Sequence, residues 1–378
     1  SAQPEKLFRA WMAEFRTPFF RSYMINEPAL VRRVLKDVPD QFPKSDRVAE
    51  GLRPLLGNSV FVTNGDVWKG QRRIIDPAFE GGRLREAFPA MWDAAGAAVA
   101  RLADSADGTS IDIEETTSFA AADVIFRTLF SLPIEDKVAQ SVFHAFKGYQ
   151  RDQPVLNIAA LIPLPGWMPR GFRKSTQANA AQIRGLIETL TLDRLKQIQT
   201  GDAPQDLATK IMTTEDPETG ARFGVGEMVD QVAIFFLAGH ETSASALAWA
   251  LYLLAAAPDW QDRVAQEGAT LTGPDMRQLS GLKHTRDVFR ETLRLYPPVP
   301  MMVRQATAQD RFRDRPIRAG SQIVISPWHL HRHTRLWDAP DAFDPARWDT
   351  ENGKMCQREA YLPFSTGPRV CTGAGFAM

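Results

Sequence analysis

Apolar positions recur at helical spacing along most of this chain. The periodicity predicts helices over Val67 to Ile75, Leu84 to Leu102, Phe119 to Phe130, Lys137 to Phe146 and Ala178 to Ile198. Further helices are predicted over Leu207 to Met212, Glu227 to Ala257, Trp260 to Leu271 and Leu282 to Leu295. An early strand is expected over Phe19 to Ile25, with Asn26 capping a helix from Glu27 through Lys36. Strand signals return late and short, at Pro316 to Arg318 and Gln322 to Ile325. The pattern implies an α+β fold, predominantly α-helical, with a small β-sheet region.

The segment from Gly226 to Ala257 contains no proline until Pro258 stops it. A helix of about 30 residues runs roughly 45 Å, so it must be central to its domain. Its apolar run is interrupted by Ala238-Gly239-His240-Glu241-Thr242-Ser243. Gly239 removes a side chain and would let a flat ligand or dioxygen approach the backbone. Thr242 can set its hydroxyl on the carbonyl of residue 238 and open a notch in the ladder. An acid beside an alcohol suits proton delivery to a bound oxygen species.

Phe364-Ser-Thr-Gly367-Pro-Arg369-Val-Cys371-Thr-Gly373 presents one cysteine in a glycine-punctuated loop before an expected helix start. Backbone N–H groups and the positive end of that helix would favour the thiolate. With no C-x-x-C partner, zinc and iron–sulfur clusters are poorly served, whereas haem iron with one thiolate ligand is well served. A thiol nucleophile of the papain kind is the competing chemistry, but no histidine lies in the loop. Elsewhere, Trp68 and Arg72 stand four apart, both hydrogen-bond donors without acceptor capacity, and so suit an anion. His329, His331 and His333 would share a strand face, yet no carboxylate or fourth ligand accompanies them, and zinc is not expected.

Phe-x-x-Gly-x-Arg-x-Cys-x-Gly, from Phe364 to Gly373, resembles the haem-ligand motif of the cytochrome P450 family, and Ala238-Gly239-His240-Glu241-Thr242 resembles its oxygen-activation motif. Glu291-x-x-Arg294, with Arg347 in Pro345-x-Arg347, is similar to the family's scaffold ion pair and its downstream arginine. Trp68-x-x-x-Arg72 matches a propionate-gripping helix, Arg304 and Arg369 match further propionate positions, and His331-Arg332 matches a pair upstream of the cysteine loop. The resemblance implies a P450 fold with its long helix over the cofactor, haem b (iron protoporphyrin IX). It implies Cys371 as axial iron ligand, Glu241 and Thr242 as the catalytic proton-delivery pair, and Phe364, Gly367, Gly373, Ala238 and Gly239 in cofactor contact. The activity implied is monooxygenation of a hydrophobic organic substrate by dioxygen, as hydroxylation or epoxidation. A peroxide-driven relative or a non-catalytic haem-thiolate sensor is the alternative.

By the same resemblance the substrate pocket is lined from Leu55 to Val62, Leu156 to Met168, Ala233 to Ala238 and Val299 to Val303, with Phe235, Phe236, Met301 and Met302 making it apolar. The proline-rich Leu161 to Pro169 is expected to lie over the core or a ligand entrance.

Composition narrows the setting. Forty-five basic and forty-five acidic residues give zero formal net charge, so no global field recruits nucleic acid or an anionic membrane. Two cysteines in 378 residues suit a reducing, cytoplasmic compartment and no structural disulfide. No apolar stretch reaches the ~20 residues of a membrane span. Residues 1–378 are expected to form one haem-binding domain. The chain stops as a helix begins at Thr372, so a C-terminal helix and following strands are expected beyond it. With no cluster-binding cysteine set and no dinucleotide fingerprint, electrons must come from a separate partner. By family analogy this is a ferredoxin with its NAD(P)H reductase, docking on a basic patch that includes Lys69, Arg73 and Arg358.

Overall fold

In the computed structural model, which describes residues 4–16, 21–80, 82–152 and 174–378, the chain runs in order through β1 (Met12–Arg16), β2 (Arg21–Ile25), α1 (Pro28–Arg32), α2 (Asp46–Leu56), α3 (Gly65–Phe79), α4 (Arg83–Asp104), α5 (Ile113–Phe130) and α6 (Lys137–Asp152). It continues through α7 (Lys174–Thr200), α8 (Leu207–Thr213), α9 (Val225–Ala256), α10 (Pro258–Gly268) and α11 (Lys283–Leu295). Then follow β3 (Met302–Gln305), β4 (Asp310–Phe312), β5 (Arg315–Ile317), β6 (Gln322–Ile325), α12 (Pro327–Leu330), α13 (Glu351–Glu359) and α14 (Ala374–Ala377). The elements form two compact units. One comprises Ser1–Ser45, Ser245–Ala374 and Met378; the other comprises Asp46–Ala244 and Gly375–Ala377.

The sheet-bearing unit is built on four strands in the order β1-β2-β6-β3. β2 pairs antiparallel with β1 and parallel with β6, in the register Ser22↔Gln322 to Ile25↔Ile325. β3 closes the sheet antiparallel to β6, and β4 and β5 form a separate hairpin. Tyr23, Ile25, Ile323 and Ile325 pack with Val34, Leu35, Phe42, Trp337 and Trp348 into its core. Expulsion of that apolar surface from water is the main force holding the strands together.

The helical unit packs α4 on α5, α6 on α7, α2 on α7 and α3 on α8. Phe126, Phe130, Phe143, Phe146, Ile183, Ile187 and Phe236 belong to its core. Asp112 caps α5 by accepting the Glu114 and Glu115 N–H groups, and Ser131 ends it at φ 56°.

The α-rich, mixed-sheet architecture matches the pattern-based expectation, with several corrections. Asn26 does not cap a helix: its side-chain amide donates to Leu7 O and Ala10 O, and the cap position is Glu27. The helix begun there turns into a π-turn over Arg33–Asp37. Strands β1, β3 and β4 and helix α2 were not expected, and Pro54 inside α2 obscures its pattern. Phe19 and Phe20, the Leu156 to Met168 lining and the Leu161 to Pro169 loop lie outside the described residues.

Candidate functional site

The cysteine loop is shaped by backbone. Cys371 N–H donates to Phe364 O at 3.0 Å, closing the loop on itself. Gly367, at φ 75°, opens a single 3₁₀ turn through Arg369. A Cβ on Gly367 would stand 2.1 Å from Leu35 O in the π-turn, so only glycine permits this close approach. Gly373 then caps the one-turn helix α14. The two thiols differ sharply. Cys371 is exposed, whereas Cys356 is buried against Leu336 O at 3.1 Å, and burial pushes its thiol up to about 11. Only Cys371 is presented as a ligand or nucleophile.

Arg369 and Arg304 belong to the same unit as Cys371. Arg304, on β3, is 8% exposed and donates to Val303 O at 3.2 Å. Desolvation, together with the neighbouring Arg369 cation, lowers it to about 10. Arg369 is itself lowered by burial; it donates to Pro39 O at 3.0 Å and lies 3.7 Å from Asp40, a largely solvated carboxylate. Two desolvated guanidiniums in mutual repulsion are a donor set that an anion would relieve. The set therefore fits the carboxylates of a haem, as the exposed thiol fits its iron.

The same unit holds the ion-pair cluster that the family resemblance implies. Glu291, fully buried, accepts from Arg294 Nε and Nη2 at 2.9 and 2.8 Å, from Arg347 Nε at 2.9 Å and from Asp344 N–H at 3.0 Å. The histidine expectation needs correcting: His329 sits in helix α12 rather than a strand. Each ring has its own surroundings. His329 meets Ser326 Oγ at 2.8 Å, His331 Nε2 accepts the Leu362 N–H at 2.8 Å, and His333 stacks on Trp11. Arg332 lies over the Trp328 ring, its guanidinium carbon 3.8 Å from the centroid.

In the helical unit, α9 carries the polar interruption without a break in the helix. Thr242 Oγ1 donates to Ala238 O at 2.5 Å, the bond its position suggests. Ala238 is exposed. Gly239 differs from expectation: its missing Cβ is matched by Ile125 of α5, whose Cδ1 would lie 2.5 Å from such an atom. Its bare side is thus filled by packing. Glu241 is exposed, and its Oε2 accepts from Gln150 Nε2 of α6 at 2.5 Å. His240 turns into the core, meets Ser118 Oγ at 2.9 Å, and is lowered to about 4 by burial. Phe236 also faces that core, against Phe126 and Phe146, which removes it from the expected pocket lining; Phe235 is half-buried against Phe79.

Trp68 is buried on α3, and the Arg72 guanidinium lies 5.9 Å from its ring centroid. Arg72 also pairs with Asp76 at 2.8 Å, an (i, i+4) partner the sequence reading overlooked. Burial raises that carboxyl. Arg73 is not a free cation: it makes a two-pronged contact with Asp216 at 2.6 and 2.8 Å and reaches Glu218 at 3.1 Å. The guanidinium holds Asp216 far below the usual carboxylate range. Arg73 therefore drops out of the expected docking patch, while Arg358 is exposed on α13.

Among the described residues, no helix is long and apolar enough to cross a membrane. The cytochrome P450 family model matches residues 6–378. The chain is 34% identical to a cyclooctat-9-en-7-ol 5-monooxygenase of Streptomyces melanosporofaciens, over 97% of this chain and 79% of that protein. It is 31% identical to a cyclooctatin synthase of the same organism, over 94% and 77%. The crystal structure of the cytochrome P450DA haem domain shares the fold, with a TM-score of 0.81 at 24% identity over 97% of this chain and 80% of that one. These matches make the protein a haem-dependent monooxygenase requiring iron protoporphyrin IX, dioxygen, an organic substrate and a redox partner. With a family model covering nearly every residue and relatives above 30% identity, the chain belongs to the cytochrome P450 family.

Proposed function

We propose that residues 1–378 act as one haem domain in which Cys371 supplies the axial thiolate to the iron, while Trp68, Arg72, Arg304 and Arg369 hold the haem carboxylates. Phe364, Gly367 and Gly373 shape the loop around the sulfur. Of the two small residues on α9, Ala238 is the one left to face the cofactor, since Ile125 already fills the space at Gly239. The observation that carries this reading is the contrast between an exposed Cys371 and a sealed Cys356.

Bound haem supplies the binding and reductive activation of dioxygen. The chain supplies the protons. Glu241 collects them from solvent, with its carboxylate steadied by the Gln150 amide, and Thr242 passes them on by rotating its hydroxyl away from Ala238 O. The substrate is hydrophobic, as an apolar lining over Leu55 to Val62, Ala233 to Ala238 and Val299 to Val303 favours, with Phe235, Met301 and Met302 as adaptable contacts. The relative named for cyclooctat-9-en-7-ol favours a ring-bearing alcohol within that class. The setting is the cytoplasm, and the electron donor is an acidic ferredoxin served by an NAD(P)H reductase, with Lys69 and Arg358 among the docking cations.

The test is the ferrous carbonyl spectrum of Cys371→Ser. The variant should lose the red-shifted Soret band and all oxygenation, with Cys356 unable to substitute. Retention of that band would assign the ligand elsewhere.

A further inference from the structure

The turn between α2 and α3 is held by side chains from elsewhere in the helical unit. Asp230 on α9 is 8% exposed. Its carboxylate accepts the Asn58 N–H at 2.7 Å and the Arg184 guanidinium of α7 at 2.7 Å. The same guanidinium donates to Leu55 O at 2.9 Å. One residue along α9, Gln231 Oε1 accepts the Val60 N–H at 2.9 Å, and Gln71 Nε2 of α3 donates to Asn58 O at 2.6 Å.

Gly57 fixes the turn a second way. It adopts φ 51°, and a Cβ there would stand 2.0 Å from Asp230 Oδ1. Glycine is needed both for the left-handed backbone and for the volume the carboxylate occupies. A cleft of about 750 Å³, lined by Arg53, Asn58, Gln71, Arg184 and Asp230 among others, opens over this junction. Water can therefore reach a turn that Asp230 holds together with Arg184, Gln231 and Gln71.

We propose that Asp230 is a positioning residue for substrate binding: through Asn58, Arg184 and the space at Gly57 it sets the shape of the 55–62 segment and thereby the affinity for substrate. This rests on the reading of that segment as pocket lining. Asp230 lies eleven residues before Glu241 on one helix, about 16 Å along its axis. Its loss should leave proton delivery alone.

The experiment uses the haem-loaded protein and two probes, lauric acid and farnesol, titrated by spin-state shift in wild type, Asp230→Asn and Gly57→Ala. Amide exchange over residues 53–63 is measured in parallel. Loss of a charge-assisted anchor should speed exchange in that segment and raise the half-saturating probe concentration, each by roughly ten-fold or more. The carbonyl spectrum should not move. Gly57→Ala should reproduce the effect with the carboxylate intact, because the added methyl displaces it. Unchanged exchange in both variants overturns the anchor. Faster exchange with unchanged half-saturation overturns the role in binding. A wild type that responds to neither probe sinks the lining reading and the proposal with it, whereas equal responses in wild type and variants sink the proposal alone.

Discussion

Replacing Glu291 by alanine should be among the most damaging single changes in the sheet-bearing unit. The carboxylate is fully buried and receives four hydrogen bonds: two from Arg294, one from Arg347 and one from the Asp344 backbone. Arg294 is fully buried too, and Arg347 is 3% exposed. Both guanidiniums are fastened by carbonyls. Arg294 also donates to His331 O, Pro340 O and Ala342 O, and Arg347 to Asp338 O, Ala339 O and Ala342 O. Neither can swing out to water without releasing three acceptors. Glu291→Ala thus strands two cations in the interior, at a cost of ~3–5 kcal/mol. Against a typical net stability of ~5–15 kcal/mol, that is a large fraction.

Urea unfolding followed by far-UV circular dichroism measures the loss, and amide exchange over residues 338–347 localises it. Glu291→Gln, which keeps one oxygen acceptor in place, should cost less than the alanine. The double variant Glu291→Ala/Arg347→Met should be at least ~1 kcal/mol more stable than the sum of the single losses, because it removes one stranded charge. A Glu291→Ala protein within 1 kcal/mol of wild type, or an additive cycle, refutes the argument.

Thr242→Ala should load haem normally yet convert more reducing equivalents to peroxide, so product per electron falls; an unchanged ratio makes Thr242 structural. Four buried histidines make the fold acid-labile. His331 is lowered to about 3 and His240, His329 and His333 to about 4, all chiefly by burial. The unfolded chain binds protons first as pH falls below ~6.5, so their contribution is whole above that pH and is lost towards pH 3–4. By pH 5 the loss amounts to ~2 kcal/mol each for His240 and His331, and a urea midpoint that stays flat from pH 7 to 5 contradicts it. Arg358→Glu should slow reduction by an acidic ferredoxin several-fold at low salt, and equal rates remove Arg358 from the docking surface.

The long periodic helices were legible because their apolar stripes extend over several turns. Val225–Ala256 and Lys283–Leu295 fall within two residues of expectation. Of the short strands, β2, β5 and β6 were legible but β1, β3 and β4 were not. β3 and β4 have four and three residues, too few for alternation to register, and they exist because β6 supplies hydrogen bonds to β3 and β5 to β4. Parallel pairing of β2 with β6 joins residues some 300 positions apart. At the proposed site, the family resemblance pointed to Cys371, Thr242 and the Glu291 cluster. It could not foresee Gln150 beside Glu241, or Ile125 filling the space at Gly239, because those contacts come from other helices.

Residue type alone was also insufficient where one type occurs in several environments. Cys356 and Cys371 are chemically alike in the sequence, yet one thiol is pushed up by burial and the other is open to solvent. Arg72, Arg73 and Arg304 all read as cations seeking an anion. Asp76 partly answers the first and Asp216 fully engages the second, while the third is pressed against another arginine. A guanidinium already bound to a carboxylate cannot also hold a distant anion without surrendering charge-assisted bonds. For the proposed haem carboxylates, with Trp68 and Arg72 as further donors, Arg304 and Arg369 are therefore the cations that gain most from an anion, because each repels the other. Removing either should relieve repulsion in the haem-free protein and weaken haem retention in the loaded one, a pair of opposite signs that packing alone would not produce.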